Sequence, residues 1–284
     1  MSIAIVTDTC GYLPPELVER FGIHLVSLYV RLDGDSIREA EITDYPGYFR
    51  RLSQGGELPG TSQPSIGDFL AVYEPLIAAG HQIASLHLSG AMSGTVNAAE
   101  QARRTLGASA DRVRVIDTRV ACGAQGLMAQ AAAQLSARGG DLDAIEARVS
   151  ELGEAMSFWF ALDSLEYLHR GGRIGGAQAW LGTALRIKPI LSLSDGITPV
   201  ERVRTTRRAL ERIVARLEEA HAAGADGWGV QHVQAPEFAA ELVERGRELF
   251  GCEPAIFSEI GPVIGTHVGP GFFGAGAFPA ALVA

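Results

Sequence analysis

Ile83-Ala-Ser-Leu-His-Leu-Ser-Gly-Ala-Met-Ser-Gly-Thr95 is the stretch on which the reading of the fold turns. Its first six residues form a short apolar run, the length and composition of a buried strand. A glycine- and serine-rich loop follows, and a helical pattern covers residues 94–106. The same succession recurs on both sides. Residues 3–6 precede a helix at 15–21, and residues 113–116 precede a helix at 126–137. Strands alternating with helices imply an α/β fold with a mostly parallel sheet, and ligand sites at the carboxyl ends of its strands.

Further out, residues 31–60 are polar and irregular and read as an excursion from that sheet. Residues 66–79 and 142–153 read as helices. Beyond them the character changes. Leu210, Ile213, Val214 and Leu217 mark one face of a helix within 202–221. A strand near 228–233, a helix at 236–249 and a glycine-rich end follow. The expected organisation is an N-terminal α/β domain over 1–157, with hydroxyl-rich loops. A smaller C-terminal α/β domain over 158–284 carries a basic face and the glycine-rich end.

Bulk composition narrows the function classes. The 284 residues are 47% hydrophobic and 20% charged, enough for a substantial core, and the formal charge of −9 argues against general nucleic-acid binding. Cys10, Cys122 and Cys252 form no C-x-x-C pair, which suggests neither zinc nor a disulfide framework and fits a reducing cytoplasm. The first apolar run stops at Asp8, so no secretory signal is expected. Residues 260–284 lack Asp, Glu, Lys and Arg, but their prolines and glycines oppose a membrane-spanning helix.

Three segments carry chemistry. The first is a set of hydroxyl-rich loops: Thr7-Asp-Thr9, Thr61 and Ser62 with Ser65, and Ser89 with Ser93. Hydroxyls and free N–H groups at helix N-termini suit an anion, although each Ser or Thr can equally cap its own helix. The second is Leu165-Glu-Tyr-Leu-His-Arg-Gly-Gly-Arg-Ile-Gly175, where a helix ends between Arg170 and Arg173. From Glu166 to Arg216 ten basic residues stand against four acidic ones, a local net of +6. A solvated helix face accounts for Arg208, Arg212 and Arg216. It accounts less well for Arg173, Arg202 and Arg204, which suggest docking of an acidic or phosphate-bearing partner. The third is Ile260-Gly-Pro-Val-Ile-Gly-Thr-His-Val-Gly-Pro-Gly-Phe-Phe-Gly274, whose single ionisable residue is His267. Its G-x-G-x-x-G letters lack the helix and acidic partner of a dinucleotide site.

These segments, in this order, resemble the DegV family, the fatty-acid-binding subunits of bacterial fatty acid kinase. The matches are Val6-Thr-Asp-Thr9, Thr61-Ser-Gln-Pro-Ser65, Leu88-Ser-Gly-Ala-Met-Ser-Gly-Thr95, Leu168-His-Arg-Gly-Gly-Arg-Ile174, Ile187-Lys-Pro-Ile-Leu191, Val203-Arg-Thr205 and Ile260-Gly-Pro-Val-Ile-Gly-Thr-His-Val-Gly-Pro-Gly271. The resemblance implies two α/β domains with an acyl chain buried between or beneath them, and no cofactor or metal. By position it places Thr61 and Ser93 on the carboxyl group, with Ser62 nearby, His267 facing them and Arg170 or Arg173 close by. Arg202 or Arg204 would meet a separate kinase subunit that performs the phosphotransfer, so the chain itself would be a carrier and not an enzyme. Thr9, Thr118 and Ala91 stand where the family usually has serine.

Two other readings stay open on the residues. Ser93 and His267 could serve an acyl hydrolase, with Asp8 or Asp117 orienting the histidine, although the loop is not G-x-S-x-G. The same fold could also carry or sense another lipid without a kinase partner. A phosphotransferase finds no support, because no glycine–lysine phosphate loop exists and Lys188 is the single lysine.

Overall fold

A computed structural model describes residues 2–55, 58–181, 187–193 and 196–284. The first half of the chain runs β1 (Ile3–Asp8), α1 (Pro15–Phe21), β2 (His24–Val26), β3 (Tyr29–Leu32), β4 (Asp35–Arg38), α2 (Tyr45–Ser53) and β5 (Gly60–Ser62). It continues with α3 (Ile66–Ala78), β6 (Gln82–His87), α4 (Thr95–Thr105), β7 (Val113–Asp117), α5 (Gly123–Ala137) and α6 (Leu142–Ala155). The second half contains β8 (Ser157–Ala161), α7 (Glu166–Arg170), β9 (Lys188–Leu193), β10 (Ile197–Val203), α8 (Thr206–Ala222) and β11 (Gly227–Val233). It ends with α9 (Pro236–Phe250), β12 (Ile256–Glu259), α10 (Pro262–Val268) and β13 (Phe272–Phe278).

The architecture is α/β, as the alternating pattern predicts. Strands β2-β1-β6-β7 form a parallel sheet. Strands β10-β9-β8-β13-β11-β12 form a second sheet, antiparallel except for the β11–β12 pair. Residues 31–60 are more regular than their sequence suggests. Strands β4-β3-β5 make a small antiparallel sheet, with α2 between β4 and β5. Strands of three or four residues show too few alternations to register as a period-two pattern. Pro46 and Gly47 likewise disguise the first turn of α2, which Asp44 caps through the Gly47 N–H.

Packing of the two large sheets positions the site. Helix α5 is rich in alanine and glycine and buried along most of its length, so it fits between β1 on one side and β11 and β12 on the other. One apolar cluster surrounds it. A second joins the sheets through Leu28, Leu88, Phe160, Leu168, Val263 and Phe272. The outer faces are covered by α3 and α4 on the parallel sheet and by α8 and α9 on the other. The uncharged C-terminal stretch supplies α10 and then β13, paired in the sheet with β8 and β11. Among the described residues no helix is long and apolar enough to cross a membrane.

Candidate ligand-binding site

A cavity of about 1000 Å³, its open mouth included, lies between the two large sheets. Its walls are mainly apolar, with Leu28, Leu88, Ala121, Phe160, Leu193 and Phe272 among them. Polar groups gather in one region. Thr61, Ser62 and Gln63 come from β5 and the turn after it, Ser93 from the loop before α4, Arg173 from the turn after α7, and His267 from the end of α10. Five of the residues expected to gather around a carboxyl group, Thr61, Ser62, Ser93, Arg173 and His267, therefore line one cavity. Arg170 does not line it. It points along its own helix to Glu166, at 3.4 Å, as an i,i+4 ion pair.

The helix-cap alternative sorts the hydroxyls. Ser65 makes a capping box with Asp68 and belongs to α3. Thr61 instead shares a 2.8 Å hydrogen bond with His267 Nε2, across 206 residues of sequence. Ser93 Oγ lies 2.9 Å from Thr95 Oγ1, at the start of α4. The other imidazole nitrogen, Nδ1 of His267, is buried and has no hydrogen-bond partner among the described residues. Gly171 packs against it, since a Cβ at 171 would stand 2.2 Å from Nδ1. Gly171 thus makes room for the imidazole, while Gly172, at φ 70°, forms the turn that ends α7. Burial, assisted by the nearby Arg173 guanidinium, pulls the His267 pKa down to about 4, so the ring is neutral at physiological pH.

Arg173 joins the two halves of the chain. Its Nε donates to the Met92 carbonyl at 3.2 Å, and another guanidinium nitrogen donates to the Gly171 carbonyl at 2.8 Å. Both acceptors are neutral, and among the described residues Arg173 has no carboxylate partner. The polar region of the cavity therefore combines hydroxyls, a neutral imidazole and an uncompensated positive charge.

The hydrolase arrangement is not assembled. His267 Nε2 meets Thr61 and not Ser93, and among the described residues no carboxylate reaches Nδ1. Asp8 is committed elsewhere: it accepts from His87 Nδ1 at 3.0 Å, Leu88 N at 3.1 Å and Cys10 N at 3.0 Å. Beyond His87, Ser85 and Tyr73 complete a fully buried chain of hydrogen bonds. Asp117 accepts from Gly90 N and Arg119 N. Burial pushes the Cys122 thiol up, so this cavity residue is an apolar wall and not a ready thiolate.

Sequence reasoning missed the device that holds His267. Glu39, only 2% exposed, accepts from Val263 N at 2.8 Å, Tyr12 OH at 2.8 Å and the Thr9 hydroxyl. Tyr12 OH in turn accepts from Ile264 N, and Tyr48 OH binds Thr266 Oγ1. The first turn of α10, which has no side-chain cap of its own, is thus capped from residues more than 200 positions away. Gly261 permits the approach, because a Cβ there would meet Tyr45, Tyr12 and Glu39. No local motif announces Glu39, since its partners come together only in the folded chain.

The basic segment divides as well. Arg207, Arg208, Arg212 and Arg216 are paired with Glu241, Glu211, Glu201 and Glu219 respectively, so α8 carries a largely neutralised face. Lys188 pairs with Asp163. Arg202 lies over the Trp180 ring, 5.3 Å from its centroid, and Arg204 is exposed. Arg186 and Asp195, which contribute to the +6 count, lie outside the described residues.

Two packed α/β layers enclosing an apolar cavity with a cationic, hydroxyl-rich region define a protein class with an amphipathic internal site. The chain belongs to the DegV family: the family model, described as an uncharacterised protein family, matches residues 2–280. It is 35% identical to Protein DegV of Bacillus subtilis over 279 residues, covering 96% of this chain and 98% of that one. A DegV domain-containing protein of Streptomyces coelicolor is 39% identical, with 96% of each chain covered. Among solved structures, one described as fatty acid binding of a DegV family protein from Thermus thermophilus superposes with a TM-score of 0.89. It shares 35% identity, and the match covers 98% of this chain and all of that one. DegV of Bacillus subtilis, described as a fatty acid binding protein, superposes with a TM-score of 0.87 at 34% identity, covering 98% and 99%.

Proposed function

We propose that this chain binds a long-chain fatty acid, with the acyl tail in the apolar part of the cavity and the carboxyl group at Thr61, Ser62, Ser93, Arg173 and His267. The single observation carrying this reading is the asymmetry of the cavity: apolar walls, with the hydroxyls of Thr61, Ser62 and Ser93, the His267 imidazole and an Arg173 guanidinium that has no carboxylate partner among the described residues gathered in one region. Burying about fifteen methylene-like groups at ~0.8 kcal/mol each offers roughly 12 kcal/mol. Association costs of about 4–15 kcal/mol oppose it. A carboxylate without donors would be costly to bury, and the hydroxyls and Arg173 supply them. The description of the Thermus and Bacillus relatives as fatty-acid-binding supports the same reading. Mass spectrometry of gently denatured native protein should find a near-stoichiometric fatty acid. A protein that carries none and ignores added fatty acid refutes the proposal.

The finer reading is that the chain is a carrier, not a catalyst, and presents its carboxyl group to a separate kinase subunit for acyl-phosphate formation. Arg202 and Arg204 would lie on the docking face, in a C-terminal domain beginning at residue 158. The exposure of Arg204 and the neutralisation of α8 focus the candidate face on these two residues. Arg202→Ala or Arg204→Ala should then impair acyl-phosphate formation with the partner while leaving lipid binding intact.

A further inference from the structure

We infer that Phe158 sets the length of acyl chain the cavity accepts, by covering a glycine in the floor of the antiparallel sheet. This deepens the fatty-acid reading and rests on it. Alternate residues of a strand share a face, so β13 presents Phe272, Gly274 and Gly276 in succession toward the parallel sheet. Strand pairing places these glycines in two rows. Gln231, Gly274 and Phe160 form one, and Gly229, Gly276 and Phe158 form the next.

The rows differ in what covers their glycines. In the first, Gln231, Gly274 and Phe160 all line the cavity. The Phe160 ring stacks on Phe272, with centroids 5.2 Å apart, and Gly274 lines the cavity even though a Cβ there would stand 2.8 Å from Phe160 Cβ. In the second row neither glycine reaches the cavity. A Cβ on Gly276 would stand 2.3 Å from Phe158 Cδ1, so the Phe158 ring lies directly on that glycine. A Cβ on Gly229 would stand 2.6 Å from Ile256 Cγ2, so Ile256 covers the other. Phe158 itself lines the cavity while Gly276 beneath its ring does not, so along this face the floor passes from Gly274 to the Phe158 ring. The rows are two residues apart, about 6.6 Å of strand, which is room for several methylenes. Removing the ring uncovers Gly276 and extends the floor by that row.

The test is displacement of a fluorescent fatty acid from the delipidated full chain by a homologous series of straight-chain saturated acids. For the wild type, affinity should rise about fourfold per added methylene, the equivalent of about 0.8 kcal/mol, up to a limiting length. Phe158→Ala should move that limit to longer chains and Phe158→Trp to shorter ones, while acids too short to reach the ring bind all forms alike. Phe158→Leu, which keeps an apolar wall, should shift the limit in the same direction as alanine and carries the test if the alanine variant does not fold. An unchanged limit in variants that still bind the short acids overturns the inference and leaves the fatty-acid reading standing. Failure of the wild type to bind any acid of the series overturns both.

Discussion

Replacing Glu39 separates a capping role from a charge role. In Glu39→Ala, Val263 N, Tyr12 OH and the Thr9 hydroxyl all lose their acceptor in a buried place. Each unmade bond costs about 1–3 kcal/mol, but the two hydroxyls can rotate toward other acceptors, whereas Val263 N is fixed by the helix. The expected loss of stability is about 3–5 kcal/mol, near the top of the range for single substitutions. Glu39→Gln keeps one carbonyl oxygen for Val263 N and Tyr12 OH. Its new NH2 meets a Thr9 hydroxyl that can turn to accept, so the loss should be about 1 kcal/mol or less. Burial already pushes the Glu39 carboxyl above the usual carboxylate range, and an amide escapes that desolvation. Because the folded-state pKa is raised, the folded chain holds a proton that the unfolded chain releases between the ordinary and the raised values. Stability should fall as pH rises through that window, and Glu39→Gln should flatten the fall. Urea denaturation of both variants against wild type at several pH values measures all of this. Equal losses for Gln and Ala, or a loss below about 1 kcal/mol for Ala, would refute the capping argument.

Two further outcomes follow from buried groups. His267 has a pKa near 4 in the ligand-free fold against an ordinary 6.5, so its contribution to stability is lost as pH falls from about 6.5 toward 4. A bound carboxylate should raise that pKa, and fatty-acid binding at mildly acidic pH should take up protons. Calorimetry in buffers of different ionisation enthalpy measures the uptake, and none in the wild type, or the same uptake in His267→Gln, counts against a carboxyl at this site. Asp8→Ala should cost about 3–5 kcal/mol, because it strands His87 Nδ1 and two backbone N–H groups in the core. Thermal melts check this, and a change of only a few tenths would show the network to be dispensable.

The legible features were those written locally. Apolar runs alternating with helical patterns are enough for an α/β fold, because side-chain burial imposes its period on contiguous residues. The Ser65 cap and the Gly171-Gly172 stop are likewise near-neighbour chemistry. The seven family segments lie in short contiguous pieces, and so the amino-acid order alone carries the resemblance to the DegV family. What escaped was short or distant: β3, β4 and β5 are too brief to show a period, and Glu39 meets α10 across 224 residues.

By itself, then, the sequence determined the alternation of its longer strands and helices and, through the resemblance to the DegV family, brought Thr61, Ser62, Ser93, His267, Arg170 and Arg173 forward as one candidate set. Tertiary structure alone decided that Arg170 turns to Glu166 while Arg173 reaches the cavity, that Asp8 serves His87 and not His267, and that α10 is capped by Glu39. The same holds for the floor of the cavity, where the Phe158 ring lies on Gly276 and the Phe160 ring stacks on Phe272. Local propensity is settled by neighbours along the chain. The aim of a guanidinium, a carboxylate or a ring is settled by whatever packing brings against it, and that is not encoded near the residue in sequence.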